Sequence, residues 1–255
     1  MSAVLLLLGA LACVAHAAGT SKADALVARH LADLKTTLDP RAADALTRIA
    51  GLGPQVLAAR SYVRNRATLL ARWSWSQEEI ARYAGSPLQA ALDAEVARVR
   101  AAFEAANPGY TLWVNPEVRS LELQVERWNE NATVAAAGAA LLEQLRPAVS
   151  VHGFPRPGTP QARQRFEALL SGSVPDPLPT VAAPGLSAHG RMQAVDFQVE
   201  QGDTTVAGTS QQDVAAVWLG QGWRDRLLEA VEASSQCFKG PLQVPEEPWH
   251  YEYRC

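Results

Sequence analysis

Gln193-Ala194-Val195-Asp196-Phe197-Gln198-Val199 is the stretch that decides the fold. Apolar side chains occupy every second position, which is the two-residue period of a β-strand with one buried face. Asp196 falls on the polar face, so its carboxylate can project into a cleft while Phe197 packs inward. The segment therefore predicts a strand that carries a functional acid.

Two further segments have strand character. Residues 110–114 are rich in aromatic and β-branched side chains, and residues 249–253 place His250 and Glu252 on the face opposite their aromatic neighbours. Strands and helices do not alternate regularly along the chain. The sequence therefore predicts an α+β fold with a small antiparallel sheet and flanking helices.

Helical spacing of apolar residues covers most of the first half of the chain. Ser76 and Glu79 match a capping box at a helix start, and 88–106 is typical of one long helix. Further helical segments are predicted over 121–145, 161–170 and 213–231. A helical N-terminal region, 18–107, is thus expected to precede a second region, 108–255.

The first residues resemble a secretory leader. Apolar runs at 4–8 and 11–14 precede Ala15-His16-Ala17, a small-x-small cleavage signal. The runs are too short for a permanent membrane helix, and no later run is long enough either. We expect 1–17 to be a signal peptide and the mature chain to be exported to the periplasm or cell envelope, without a transmembrane span. Cys13 leaves a lipoprotein signal as an alternative.

If the chain is exported, its two remaining cysteines are candidates for a disulfide bond. Removing the leader leaves Cys237 and Cys255, an even pair in an oxidising compartment. A bridge between them would tie down the chain terminus around Glu247 and His250. Two free thiols that never meet are the alternative, because sequence alone does not show their distance.

Charge argues against nucleic acid as a partner. The chain of 255 residues has a formal net charge of -3, so it has no global basic field. Its one basic stretch interleaves arginines with aromatic residues. This stretch either contacts an anionic polymer or forms a solvated helix face; its arginines are Arg60, Arg64, Arg66 and Arg72.

Four residues in the second half suggest a metal-dependent hydrolase. His189, Asp196 and His250 can supply three ligands of a tetrahedral zinc site, and Glu247 can act on a water in the fourth position. Gly190 would let the chain turn so that His189 and Asp196 converge. Taken singly, each residue also fits another role, such as a surface histidine or a solvated aspartate.

The motifs around these residues resemble those of zinc D-Ala-D-Ala carboxypeptidases of the VanY and VanX type. The family pattern is S-x-H-x-x-G-x-A-x-D followed by E-x-x-H. Ser187, His189 and Asp196 fall in register with the first part, and Glu247-Pro248-Trp249-His250 matches the second. One position departs from the pattern, since Met192 stands where the family has glycine. The resemblance covers roughly 108–255.

The resemblance implies a fold, a cofactor and a substrate. It implies a sheet like that of DD-peptidases and the hedgehog signalling domain, Zn²⁺ as cofactor, and Glu247 as the catalytic base. Arg119, in an Arg-Ser motif, would grip the substrate carboxylate or the oxyanion, with Arg156 as its rival, and Ser187 would orient the substrate.

Peptidoglycan stem peptides are the implied partners, cut by a D-alanyl-D-alanine carboxypeptidase or by an endopeptidase. A non-catalytic binding protein with a structural metal is the alternative from another class. The sequence does not indicate an oligomeric state.

Overall fold

The structure is a computed structural model that describes residues 21–255. The predicted signal peptide and Cys13 lie outside the described residues. The α-helices are α1 (Lys22–Lys35), α2 (Pro40–Arg48), α3 (Leu52–Arg64), α4 (Leu69–Arg72), α5 (Gln77–Tyr83), α6 (Pro87–Ala106), α7 (Leu121–Glu130), α8 (Ala132–Ser150), α9 (Pro160–Gly172) and α10 (Trp223–Ser234). Over 21–255, no helix has the length and apolar character needed to cross a membrane.

The strands form one small antiparallel sheet. They are β1 (Thr111–Val114), β2 (Ala194–Gln201), β3 (Thr204–Ala207), β4 (Phe238–Lys239) and β5 (His250–Tyr253). Their order is β1-β2-β5-β4, and β3 also pairs with β2. The α+β prediction is therefore confirmed at the level of a mixed helical protein with an antiparallel sheet. The central β2 is the strand that the alternating sequence predicts, and Phe197 on its apolar face is fully buried.

The interior consists of two apolar cores. In the first, α1, α2 and α3 pack with α8 and α9. In the second, α6 and α10 pack against the sheet around Phe197 and Tyr251. Each core takes residues from both sides of the predicted boundary at 107, so the two predicted regions share continuous interiors. The division into 18–107 and 108–255 remains a prediction, because it was drawn from the extent of the family resemblance.

Two predicted helical segments are interrupted. Segment 121–145 becomes α7 and α8, because the Asn131 side chain accepts hydrogen bonds from the N–H groups of Thr133 and Val134 and caps a new helix. The single helix predicted over 213–231 is wrong. A π-helical turn, Val214–Leu219, ends before Gly222, whose left-handed backbone (φ +75°) separates it from α10.

The basic stretch holds α9 against the first core. The Arg60 guanidinium donates to the Ser173 carbonyl at 2.6 Å, Arg64 donates to the Ser171 carbonyl at 2.9 Å, and Arg66 makes two bonds to Glu167. These three arginines therefore bind the end of α9 rather than forming a freely solvated face. Arg72, the fourth arginine of the stretch, donates to the Asn65 side chain instead of to α9.

The sheet ends in a disulfide between Cys237 and Cys255, whose Cα atoms lie 5.2 Å apart. This bond confirms the bridge that the sequence favours. It joins the residue before β4 to the chain terminus after β5, and Arg254 N–H also donates to the Cys237 carbonyl at 2.8 Å. The covalent link fixes the strand that carries His250.

Replacing both cysteines by serine should lower the free energy of unfolding by about 3 kcal/mol. The bridge closes a loop with a sequence separation of 18, and the chain-entropy estimate for a loop of that size is about 3 kcal/mol. Urea denaturation of the oxidised protein and the double variant measures the difference. Equal midpoints in the two proteins would show that the bridge contributes nothing.

Helices α3 and α8 meet at two glycines. A Cβ atom built on Gly138 would lie 2.6 Å from the Gly53 carbonyl carbon, so the backbones touch directly. Gly138→Ala should therefore destabilise the protein by about 1–3 kcal/mol through overpacking. Gly172→Ala at the end of α9 is the matched control, because nothing lies within 4 Å of its Cβ position. Thermal unfolding that is the same for both variants would contradict this packing.

Candidate metal site

The turn before β2 places His189. Residues Ala188–Arg191 form one 3-10 turn after Ser187, and Met192 then adopts a left-handed conformation with φ +50° and ψ +32°. The reversal therefore occurs at Met192, where the family pattern has glycine. Our expectation that Gly190 supplies the turn is wrong, because only Met192 has a positive φ among the residues from Ala188 to Asp196.

Gly190 serves a different purpose. A Cβ atom there would collide with the Ser74 hydroxyl and would lie 2.7 Å from Nε2 of Gln124. Gln124 Nε2 donates to the Ser74 hydroxyl at 2.8 Å and to the Arg119 carbonyl at 2.7 Å, and its Oε1 accepts from the Gly185 N–H at 2.9 Å. A residue without a side chain is needed at 190, because the Ser74 hydroxyl and the Gln124 amide occupy the space that a Cβ atom would take.

Strand pairing brings the other two predicted ligands together. Asp196 in β2 lies directly opposite His250 in β5, so both side chains project from one face of the sheet. His250 Nδ1 lies 3.0 Å from Asp196 Oδ1, and His189 Nε2 lies 3.3 Å from the same oxygen. The two imidazole nitrogens are 3.1 Å apart. The three predicted ligand residues therefore converge.

These separations fit a tetrahedral zinc ion. Ligand atoms bound at about 2.0–2.1 Å with tetrahedral angles lie about 3.3–3.4 Å from each other, close to the three observed distances. Within 21–255, one group of candidate ligands has donor atoms that all lie within 4.8 Å of one another. It consists of His189, Asp196 and His250. The donor set, two imidazoles and one carboxylate, suits zinc. The group can hold a metal ion.

Burial and mutual contacts set the charge state of this group. Burial opposes ionisation of Asp196, but hydrogen bonds from His189 and His250 outweigh it and hold the pKa of the carboxyl well below its ordinary value. Burial lowers the pKa of His189. Both shifts favour an ionised aspartate beside a neutral imidazole, which are the forms that bind a metal.

Glu247 lies beside the group. Its Oε2 is 3.8 Å from His250 Nδ1, and its side chain is mostly buried. The Glu247 N–H donates to the Leu242 carbonyl at 2.9 Å, and its own carbonyl accepts from the His250 N–H at 3.0 Å. This turn brings the Glu247 side chain next to that of His250, three residues later in the chain. Burial, and then the Asp196 charge, raise the pKa of Glu247, which suits a residue that takes and returns a proton.

The structure separates the two candidate arginines. Arg119 Nη2 lies 3.3 Å from Asp196 Oδ2, and the Arg119 N–H donates to the His189 carbonyl at 3.3 Å. Arg119, His189 and Asp196 line one cavity of about 30 Å³, which is large enough to hold a water molecule. Arg156 is exposed, in a loop whose Gly158 N–H donates to Asp33 of α1 at 2.9 Å.

Ser187 is buried two residues before His189, and its carbonyl accepts a hydrogen bond from the Gly190 N–H. That bond places it as part of the turn that carries His189.

Two contributors to the site have no signal in the sequence. The N–H groups of Ser74 and Trp75 donate to the carbonyls of Gly185 and Gly190 at 2.8 and 2.9 Å, so a loop from the helical region supports the His189 turn. Gln211 Nε2 lies 3.4 Å from Glu247 Oε1 and orients that carboxylate. Ser74 and Trp75 act through their backbone N–H groups and Gln211 acts through one side chain, and none of them belongs to a recognisable motif.

Comparisons with protein families, with curated proteins and with solved structures find no match to this chain. Function is therefore inferred from the site geometry and from the motif resemblance.

Proposed function

We propose that the protein is an exported zinc metallopeptidase that hydrolyses peptide bonds in peptidoglycan stem peptides, with D-alanyl-D-alanine carboxypeptidase as its activity. The convergence of His189, Asp196 and His250, with Glu247 at 3.8 Å from His250, carries this proposal. These are the residues that the motif resemblance assigns to metal binding and to the base. The finer fold assignment, a sheet like that of DD-peptidases and hedgehog domains, belongs to the same proposal.

Each residue has a distinct role in this reaction. The two histidines and Asp196 would hold the metal, which polarises the scissile carbonyl and lowers the pKa of a bound water. Glu247 accepts a proton from the attacking water and delivers it to the departing amine nitrogen, as its raised pKa permits. Arg119 offers a planar guanidinium from the side of Asp196 to the terminal carboxylate of the substrate.

The position of Glu247 favours an enzyme over a non-catalytic binding protein with a structural metal. A structural zinc site commonly closes all four positions with protein ligands. Within the described chain the metal-binding group has three members, and Glu247 stands next to it. A buried carboxylate beside a three-ligand group is what metal-assisted hydrolysis needs.

Purified protein offers a direct test. We expect about one zinc ion per chain by elemental analysis and release of free D-alanine from a muramyl pentapeptide, detected by a coupled D-amino-acid oxidase assay. Cleavage within the stem instead, with internal fragments seen by mass spectrometry, would establish the endopeptidase alternative. Zinc bound with no product from any muropeptide would support the binding protein.

Replacing Arg119 should impair turnover of substrates with a free carboxyl terminus. Arg119→Ala is expected to lower kcat/KM by about 10²-fold, since a hydrogen bond to a charged group is worth about 1.5–3 kcal/mol. Arg156→Ala is the matched control and should leave kcat/KM unchanged, because Arg156 is exposed and does not line the cavity that contains Arg119, His189 and Asp196. Steady-state kinetics on a pentapeptide distinguishes the two. The reverse ranking would assign the carboxylate to Arg156.

A further inference from the structure

A second cavity, of about 310 Å³, borders the metal-site turn without containing any of the proposed metal ligands. Ala188 and Arg191 on one wall flank His189 in the chain, and Glu252 on another lies two residues after His250. Arg72 and Arg254 complete the charged lining. The cavity is therefore separate from the metal group but shares the turn and the strand that hold it.

The charges in this cavity do not balance. Glu252 pairs with Arg254, whose Nε lies 2.9 Å from the Glu252 carboxylate. Arg72 and Arg191 have no carboxylate partner anywhere in residues 21–255. Arg72 donates instead to the Asn65 side chain, and Arg191 donates to the Ala71 carbonyl. Arg72 and Arg191 thus line the cavity without a carboxylate partner, since the one carboxylate of the lining, that of Glu252, pairs with Arg254.

Arg191 is incompletely paired within the protein. Its Nε is buried and has no hydrogen-bond partner within the described chain. An anion bound in the cavity would give the N–H groups of Arg72 and Arg191 an acceptor, because both side chains line it.

We propose that this cavity is a binding site for a dianionic oxyanion of the phosphate class. Two unpaired guanidinium groups match two negative charges, and the planar fork of arginine fits the oxygen atoms of a phosphate. At roughly 30 Å³ per water molecule, the space accommodates a phosphate group together with several waters. Free phosphate and the phosphate end of a monoester present the same chemistry to the two arginines.

Calorimetric titration at constant ionic strength tests this site. Inorganic phosphate and glycerol phosphate are titrated into the full mature protein in parallel, with sodium acetate as a monoanion. We expect saturable binding of at least one of the two dianions, and the tighter of them identifies the source of the ligand. Absence of saturation with both, or acetate binding as tightly as phosphate, would overturn the proposal.

Variants assign the binding to the cavity. Arg72→Gln should weaken phosphate binding by about tenfold, the loss expected for one charge-assisted hydrogen bond, and Arg191→Gln should do the same. Arg72 is exposed, so its replacement leaves the folded core intact. Arg82→Gln, an exposed arginine of α5 outside the cavity, is the matched control for loss of one charge. Equal affinities for Arg72→Gln and Arg82→Gln would place the phosphate elsewhere and refute the site.

Discussion

Glu247→Gln is expected to lower kcat by about 10²–10⁴-fold while the protein keeps its full zinc content. Proton transfer by a positioned side chain contributes a rate factor of about that size, and glutamine keeps the shape of glutamate but accepts no proton. Glu247 is not one of the three residues of the metal-binding group, so the metal should stay. Burial raises the pKa of Glu247, so the fold disfavours its charged form, and a neutral replacement should not reduce stability.

Glu246→Gln provides the matched control for this experiment. Glu246 is the preceding residue and carries the same charge, but its side chain is exposed and lies 3.9 Å from Arg224 rather than at the metal group. Its replacement should leave kcat within about twofold of the wild type, the range expected for a surface change of under 0.5 kcal/mol. Full activity in Glu247→Gln, with zinc retained, would remove Glu247 from the mechanism.

The second large effect concerns the metal itself. His250→Ala should weaken zinc binding by about 10²–10³-fold and abolish peptidase activity. Apparent zinc-binding free energies of about 10–16 kcal/mol for four-ligand sites correspond to roughly 2.5–4 kcal/mol for each ligand. His250 contacts both other members of the group, at 3.0 Å and 3.1 Å, so its loss leaves two ligands. Competition with a chromophoric chelator measures the affinity.

His152→Ala controls for the loss of a histidine that is not a ligand. His152 is exposed and lies outside the group of three, so zinc affinity and activity should match those of the wild type. Zinc affinity that survives in His250→Ala would mean that the three side chains do not form the metal site. Circular dichroism checks that both variants remain folded.

The sequence itself determined the local features of this protein. The alternation in 193–199 placed Asp196 on the polar face of a strand, because successive side chains of a strand point to opposite faces whatever the strand pairs with. The capping box at Ser76 and Glu79 is present as predicted, since its hydrogen bonds span only three residues. The motifs also named three residues that the structure brings within metal-binding distance.

Local patterns failed at two glycines, Gly222 and Gly190. The helix predicted over 213–231 divides at Gly222, although apolar residues continue on both sides of it. Gly190 has the sequence character of a turn residue, yet the left-handed conformation belongs to Met192. The small size of Gly190 is required by Ser74, more than a hundred residues earlier in the chain.

Only the tertiary structure decided which residues meet. The register that sets Asp196 opposite His250 joins positions 54 residues apart, and the contact between Arg119 and Asp196 joins positions 77 apart. No local periodicity encodes such pairings. The pairing of Asp196 with His250 follows from burying the apolar faces of β2 and β5 in one core, because slipping the register by one residue would turn those faces to solvent.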